Sequence, residues 1–198
     1  MGKKVVAILG TYRKGGTIDT AVEAILEGAR EKRASVRTIY LVDMHIEFCR
    51  NCRQCTQEPG VERGRCVQED DMESILTEIE TSDAVVLATP VNLGNTTAIF
   101  RRFMERLIGY GYWPWGDAAP RARTRVHTLK AALVASSGAP GIMIPLFTGT
   151  RKALRTTAKI LGAKPVASLW IGLSAGEPHP RLSARTLARA RRIGERLV

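Results

Sequence analysis

Five short apolar runs alternate with amphipathic segments along the whole of this 198-residue chain. The runs cover residues 5–9, 36–41, 84–89, 128–136 and 166–171. Elsewhere apolar residues recur at three- and four-residue steps, which predicts helices at residues 18–29, 70–81, 96–108, 146–161 and 183–197. Strands this continuously apolar are buried on both faces. The alternation therefore predicts an α/β fold, with a parallel sheet between two layers of helices.

The number of strands indicates their order. A five-stranded sheet of this class favours the flavodoxin-like order 2-1-3-4-5. Ligands then bind outside the carboxyl ends of the strands, at the switch point between strands 1 and 3. We expect one domain over residues 1–198, a flavodoxin-like three-layer sandwich. It carries a cysteine-bearing insertion at residues 43–68 and an aromatic insertion at residues 109–125.

The first apolar run ends in a basic, glycine-rich loop that leads into a helix. Residues 11–17 read TYRKGGT and supply hydroxyls, two cations and exposed backbone N–H groups. The positive end of the helix favours an anion at the same place. A P-loop would have lysine where Gly16 stands, and a dinucleotide fingerprint would have glycine where Tyr12 stands. The loop predicts a different kind of phosphate site, or else an ordinary solvated turn.

The loops after the third and fourth strands also have the composition of a binding site. Residues 90–97 read PVNLGNTT and residues 136–141 read SSGAPG, so both are rich in amides, hydroxyls and glycine. Neither loop contains His, Lys, Asp or Glu. Binding groups without an acid, base or nucleophile indicate that a cofactor carries the chemistry. The alternative is that these are simply well-formed turns.

Three segments resemble one family. GTYRKGG resembles the GSxRKxGNT phosphate loop of the flavodoxin-like NAD(P)H-dependent FMN reductases, and TPVNLGNTTAIFRRFMERL resembles their TPVYxGxxTAxxKxFIDR segment. CRNCRQC followed by CVQEDDM resembles the cysteine stretch and acidic helix start of the iron–sulfur flavoprotein branch. The resemblance implies bound FMN and an oxidoreductase that takes a hydride from NAD(P)H, its co-substrate. A quinone, flavin or similar acceptor, or a redox protein, would receive the electrons. The alternative is a non-catalytic flavin/iron–sulfur electron carrier for a protein partner.

The resemblance also implies a set of cofactor-binding residues. The phosphate would be held by Thr11, Arg13, Lys14, Gly15, Gly16 and Thr17. The flavin ring would lie along Pro90, Val91, Asn92, Leu93, Gly94 and Asn95, and its pyrimidine side would be closed by Ser136, Ser137, Gly138 and Gly141. No catalytic side chain is implied, because the reaction takes place at FMN N5. The family also implies a homodimer or homotetramer.

The four cysteines form a compact pattern. Cys49, Cys52, Cys55 and Cys66 have the spacing C-x2-C-x2-C-x10-C, which in a cytosolic protein favours metal or redox chemistry over disulfides. Three cysteines on a two-residue repeat resemble a [4Fe–4S] loop, whereas zinc sites usually have two separated pairs. A [4Fe–4S] cluster, free thiols and zinc remain as alternatives, in that order of preference.

The aromatic insertion and the charge are less specific. Residues 110–116 read YGYWPWG, which favours a cap on a flavin or a subunit contact. His45, His127 and His179 are expected to be loop or surface residues. The net charge of +11 includes a stripe of Arg185, Arg189, Arg192 and Arg196 on the last helix, which we expect to be a solvated face. Attraction of anionic cofactors or acidic proteins is the alternative.

Composition also bears on partners and location. No aromatic platform or nucleic-acid motif accompanies the positive charge, so we expect no nucleic-acid partner; a zinc-stapled basic binding module is the remaining alternative. No apolar run approaches the ~20 residues of a membrane span. The residues before the first strand lack the apolar segment and cleavage site of a signal peptide. We therefore expect a cytoplasmic protein with no membrane partner.

Overall fold

The computed structural model describes residues 2–123, 129–177 and 181–198. Its strands are β1 (Lys4–Leu9), β2 (Ser35–Tyr40), β3 (Ala84–Pro90), β4 (Gly111–Tyr112), β5 (Arg121–Ala122), β6 (Lys130–Ser136) and β7 (Lys164–Ile171). The long strands form a parallel sheet of order β2-β1-β3-β6-β7. Counting only these long strands, the predicted order 2-1-3-4-5 is confirmed. Residue 128, the predicted start of the fourth long strand, lies outside the described residues.

The helices are α1 (Thr17–Glu31), α2 (Met72–Glu80), α3 (Ala98–Glu105), α4 (Met143–Phe147), α5 (Thr150–Ile160) and α6 (Ala184–Leu197). The single helix predicted at residues 146–161 is wrong, because Thr148 is extended and separates α4 from α5. The Gly149 N–H donates to the carbonyl of Gly94 over 2.8 Å. That bond ties the break to the loop after β3, which a continuous helix would not reach.

The apolar strands are covered on both faces, as their composition predicts. α1 and α6 cover one face, where Ile25 and Ile193 join a core with Val86. α2, α3 and α5 cover the other face, where Ile75 and Phe100 are completely buried. No helix in the described part of the chain combines the length and apolar character needed to cross a membrane.

The arginine stripe of α6 has a structural role that the sequence analysis did not predict. Arg189 donates to the carbonyl of Ser168 over 3.1 Å, and Arg196 donates to the carbonyl of Val166 over 2.9 Å. Both carbonyls belong to β7, which is an edge strand of the sheet. Charged side chains over an exposed edge oppose pairing with another strand. The expectation of a purely solvated stripe is therefore incomplete.

Candidate functional site

The carboxyl ends of β1, β3, β6 and β7 border a cleft of about 880 Å³. Ten of the predicted cofactor-binding residues line it: Thr11, Arg13, Gly16, Thr17, Pro90, Val91, Asn92, Ser136, Ser137 and Gly138. Six others do not line it: Lys14, Gly15, Leu93, Gly94, Asn95 and Gly141. The structure thus brings together residues from all three predicted loops, at the edge of the sheet where the topology places a ligand.

The start of α1 provides the anion-binding end of this cleft. Gly16 is the N-cap residue of α1, and no side chain caps the helix there. Backbone N–H groups in an uncapped first turn are available to a ligand. α3, which begins at the same edge of the sheet, differs: the Thr97 hydroxyl accepts the N–H of Phe100 over 3.3 Å. The uncapped helix is the one beside Arg13.

Buried contacts hold the first loop in place. Gly10 packs against Phe100 so closely that an added Cβ would lie 2.6 Å from the Phe100 Cβ. The Thr97 hydroxyl donates to the carbonyl of Gly10 over 2.6 Å. The Thr11 hydroxyl accepts the N–H of Arg13 over 3.2 Å, which shapes the turn around the cleft. The Tyr12 hydroxyl accepts the N–H of Ile99 over 3.1 Å and satisfies an otherwise orphaned donor of α3.

Lys14 and Gly15 are oriented differently from the prediction. The Lys14 ammonium lies 2.6 Å from the carboxylate of Asp43 and 5.0 Å from the ring centre of Tyr40. Gly15 has a positive φ of 71°, and its N–H donates to the carboxylate of Asp19. In this structure both residues brace the loop, and Lys14 extends toward the segment after β2 rather than into the cleft.

The loop after β3 divides into a lining part and a turning part. The N–H of Asn92 donates to the carbonyl of Asn95 over 2.8 Å, and the N–H of Asn95 donates back over 3.0 Å. Leu93 and Gly94 between them have φ values of 46° and 75°, as in a two-residue turn of the mirror-image type. Asn92 lines the cleft, whereas Leu93 is fully exposed at the tip of the turn.

The loop after β7 was missed by the sequence analysis. Its residues Ser174, Ala175, Gly176 and Glu177 line the cleft. The Ser137 carbonyl accepts from the N–H of Ser174 over 3.0 Å and from its hydroxyl over 2.9 Å, which joins this loop to the one after β6. The sequence did contain a signal for this loop. Small and polar residues follow the fifth predicted strand, whose carboxyl end lies at the same edge of the sheet as those of the other strands.

Gly141 contributes to this edge through packing. An added Cβ there would lie 2.7 Å from the carbonyl oxygen of Trp170. Glycine is therefore required for the close approach of the two loops, and Gly141 shapes the edge of the sheet from outside the cleft. Glu177 is the one carboxylate among the described lining residues.

The cysteine loop is residues 43–68. Its start lies near the first loop, where Asp43 pairs with Lys14, whereas Glu47 and Gly64 contact Arg106 and Gly109 beyond the end of α3 that lies away from the cleft. Arg123 is buried and fastens the cysteine loop. Its guanidinium donates to four carbonyls: those of Glu58 (2.9 Å), Gly109 (3.0 Å), Gly60 (3.2 Å) and Cys55 (3.3 Å). One buried cation thus holds the backbone of the ten-residue segment between Cys55 and Cys66 in place.

The aromatic insertion contacts the cysteine loop. The Arg53 guanidinium lies 3.6 Å from the ring centre of Trp113 and 4.3 Å from that of Trp115. It also donates to the carbonyl of Trp113 over 2.6 Å. Arg53 stands between Cys52 and Cys55 and has a left-handed φ of 57°. In this chain the tryptophans therefore support the cysteine loop, and they do not line the cleft.

None of the four cysteines is paired in a disulfide. Burial raises the pKa of the Cys55 thiol, and the neighbouring Cys66, Cys49 and Cys52 raise it further, so the four lie in one electrostatic neighbourhood. Cys55 and Cys66 line a small cavity of about 20 Å³ together with Arg63 and Arg106. Within the described ranges, no three or more His, Cys, Asp or Glu residues are placed to hold a metal ion.

His45 does not line the cleft. His45 is exposed, and its Nε2 lies 3.2 Å from the Glu47 carboxylate. His127 and His179 lie outside the described residues.

Comparison with known proteins decides the family. The family described as NADPH-dependent FMN reductase matches residues 3–176. The chain belongs to the NADPH-dependent FMN reductase family. Ten of the residues that line its cleft are among those that the resemblance to this family implies for cofactor binding.

Relatives of this FMN reductase family member include proteins whose names mention both an iron–sulfur group and a flavin. An iron-sulfur flavoprotein from Archaeoglobus fulgidus is 35% identical over 111 residues, which are 56% of this chain and 48% of the relative. Another, from Methanosarcina thermophila, is 28% identical over 53% of this chain and 52% of the relative. The predicted resemblance to the iron–sulfur flavoprotein branch is confirmed. The chain spans about half the length of these curated relatives.

Similarity to a solved structure supports the fold of this FMN reductase family member. An NAD(P)H:quinone oxidoreductase from Methanothermobacter marburgensis superposes with a TM-score of 0.73 at 19% identity, over 100% of both chains. At this level of identity the likeness concerns the fold alone. Together with the strand order, it confirms the flavodoxin-like prediction.

Asp19, in the first turn of α1, is a residue whose ionisation opposes folding. Its side chain is nearly buried, and burial raises its pKa, although the Gly15 hydrogen bond and Lys14 act in the other direction. Its Oδ1 has no hydrogen-bond partner among the described residues. A raised pKa destabilises the folded state above that pKa, and the penalty disappears as the pH falls toward the ordinary value of 3.8.

Asp19→Asn is therefore expected to raise the free energy of unfolding by on the order of 1 kcal/mol at neutral pH. The asparagine oxygen still accepts the Gly15 N–H, while the buried charge is removed. Urea unfolding at neutral pH and near pH 4 measures the effect, and the gain should shrink at the lower pH. Glu23→Gln, at an exposed acid on the same helix, is the matched control and should change stability little. A gain that is equal at both pH values would contradict this account.

Proposed function

We propose that this protein is an FMN-dependent oxidoreductase that takes a hydride from NAD(P)H. One observation carries the proposal: an uncapped helix N-terminus and Arg13 lie at the first loop of a cleft whose other loops supply amides and hydroxyls. A molecule with one phosphate and a polar, flat ring fits that distribution. Family membership supports the same assignment.

Different residues of the cleft would bind the phosphate and the ring. The first-turn N–H groups of α1, together with Arg13 and Thr17, would hold the phosphate. Asn92 would offer an amide to the ring, and Ser136 and Ser137 line the cleft from the neighbouring loop. The Ser137 hydroxyl donates to the carbonyl of Ala139 over 2.8 Å, and its N–H donates to the carbonyl of Ile171 over 2.9 Å. Ser137 would therefore shape this part of the cleft through the loop itself.

Bound FMN would supply the two-electron chemistry, accepting a hydride and passing electrons to a quinone, flavin or similar acceptor. The chain's own contribution would be binding, orientation and exclusion of solvent. No His or Lys lines the cleft in the described part of the chain. Thr11, Thr17, Ser136 and Ser137 are nearly buried, so their orientation is fixed by the fold.

We also propose a [4Fe–4S] cluster on Cys49, Cys52, Cys55 and Cys66. The Gln68 N–H points to the Cys66 sulfur at 3.5 Å, and two arginines share the cavity of Cys55 and Cys66. Iron binds the thiolate form, and a donor and two cations near these sulfurs would offset the negative charge of iron-bound thiolates. A four-iron cluster binds each thiolate at a different iron atom, so its ligands need not converge on one point. The names of the curated relatives support this proposal.

FMN titration of the purified protein, followed by flavin fluorescence, tests the main proposal. We expect saturable binding and steady-state oxidation of NADH or NADPH. Arg13→Met should weaken FMN binding at least about tenfold, because a charge-assisted phosphate contact is lost. Lys32→Met removes another exposed cation, at the far end of α1, and should leave binding unchanged.

Two results would count against this function. Failure of the wild-type protein to bind FMN would refute the flavin site itself. Flavin that binds but is reduced only by a redox protein, and never by NAD(P)H, would favour the electron carrier over the reductase.

A further inference from the structure

The chain has a long segment without acidic residues. Residues 118–176 contain no Asp or Glu, yet they contain nine Lys and Arg residues. The net charge of +11 is therefore unevenly distributed along the sequence. This segment includes β6, α4, α5 and β7. The excess of positive charge therefore lies in the part of the fold around the β6–β7 edge of the sheet.

The structure concentrates part of this charge around one groove. The groove has a volume of about 780 Å³ and lies between α5 and the start of β7. Its cations are Arg151, Lys152, Arg155, Lys159 and Lys164, and all five are exposed. We call this feature the α5 groove.

These cations have no acidic partners within the described ranges of the chain. Cations elsewhere commonly do, as in the pairs Lys3–Asp83 at 2.9 Å and Arg191–Glu27 at 2.9 Å. Arg151, Arg155 and Lys159 recur at four-residue steps on α5, where like charges oppose one another and weaken the helix. Their repulsion would be relieved by an anionic surface placed over the groove.

The α5 groove adjoins the cleft. Thr148 lines the groove, and the neighbouring Gly149 donates its N–H to the carbonyl of Gly94 over 2.8 Å. Gly94 belongs to the turn that begins at Asn92, which lines the cleft. A molecule bound along α5 would therefore stand beside the proposed flavin site.

We propose that the α5 groove is a docking surface for a protein with an acidic surface. Charge complementarity identifies the chemistry of the partner. The adjacent cleft makes an electron-transfer protein the class that fits, and this last step rests on the proposed function. The residues that line the groove include no aromatic ring on which a base could stack, which disfavours single-stranded nucleic acid.

Fluorescence anisotropy with a labelled acidic [2Fe–2S] ferredoxin as the probe tests the proposal on the full chain. We expect binding at about 20 mM salt that weakens at least about tenfold at about 200 mM, because screening shortens the range of the attraction. The triple variant Arg151→Glu/Arg155→Glu/Lys159→Glu should weaken binding at least about tenfold at low salt. The same variant should bind FMN as the wild type does, since none of the three lines the cleft.

The matched control is Lys32→Glu/Arg185→Glu/Arg192→Glu, which changes the net charge equally at exposed positions on α6 and just after α1. Its binding should change less than about threefold, the effect of long-range charge alone. Equal losses in the two triple variants would overturn the proposal, as would no binding of the probe at low salt. Tighter binding of a short DNA duplex that depends on α5 would also overturn it, in favour of nucleic acid. If the ferredoxin binds at the α5 groove but the protein does not bind FMN, the docking proposal is supported and only the proposed flavin function is refuted.

Discussion

Replacing Arg106 by methionine is expected to lower the free energy of unfolding by about 3–5 kcal/mol, because it leaves a buried carboxylate without its partner. The side chains of Arg106 and Asp70 are 2% and 1% exposed. Their hydrogen bonds include one of 3.2 Å from Nη2 to Oδ1. Arg106 also donates to the carbonyl of Glu47 over 2.8 Å. Asp70 accepts the N–H of Met72 over 3.0 Å. The pair therefore joins the end of α3, the cysteine loop and the start of α2.

Urea unfolding followed by circular dichroism measures this loss. Arg101→Met is the matched control, because Arg101 pairs with Glu105 at 3.3 Å on the exposed side of the same helix. Its effect should be below about 1 kcal/mol, as is usual for exposed ion pairs. The double variant Arg106→Met/Asp70→Leu should recover much of the loss, since an apolar pair replaces a buried ionic one. An Arg106→Met protein as stable as the control would contradict the assignment.

Acid titration gives an independent readout of the same pair. Burial alone would raise the pKa of Asp70, but hydrogen bonds from Arg106 and from the N–H groups of Glu47 and Met72 hold it below 3.8. A lowered pKa stabilises the folded state above the ordinary value, and that contribution is lost as the pH falls through the lowered value. The wild type should therefore lose stability below about pH 4 more steeply than the double variant.

The fold could be predicted from the sequence because its signals are local and repeated. Each buried strand and each amphipathic helix carries its own periodicity, and the topology rule then identifies the edge of the sheet where a ligand binds. Thr11, Asn92 and Ser136 were placed in the site by that rule together with the family resemblance. The loop at Ser174 was missed because the rule was applied to three strand ends rather than to four.

Other features could not be predicted, because they depend on residues far apart in the sequence. Lys14 turns from the cleft toward Asp43, which is 29 residues away. Arg53 is held by Trp113, which is 60 residues away. Neither pairing leaves a periodic or compositional trace in the sequence. The aromatic insertion was accordingly given two roles, and the structure shows a third: support of the cysteine loop.

Protein prepared without oxygen is expected to contain about four iron atoms and four sulfides per chain, and Cys55→Ser is expected to lose most of both. Cys55 is chosen because Arg123 holds its carbonyl and because it lines one small cavity together with Cys66 and Arg106. Losing one thiolate leaves one iron atom without its protein ligand. We therefore expect the whole cluster to be lost, so that both the iron and the sulfide content fall almost to zero. Iron and sulfide analysis, together with the visible absorption of the cluster, measures the loss without any turnover assay.

Val61→Ala is the control for this experiment, because it changes an exposed side chain of the same loop and keeps all four thiols. It should load iron as the wild type does. Wild-type protein with neither iron nor sulfide would refute the cluster and leave four free thiols, and zinc without sulfide would identify the other metal. The result for iron does not decide the flavin site, because no cysteine lines the cleft in the described part of the chain. FMN binding should therefore persist in Cys55→Ser even when its iron is gone.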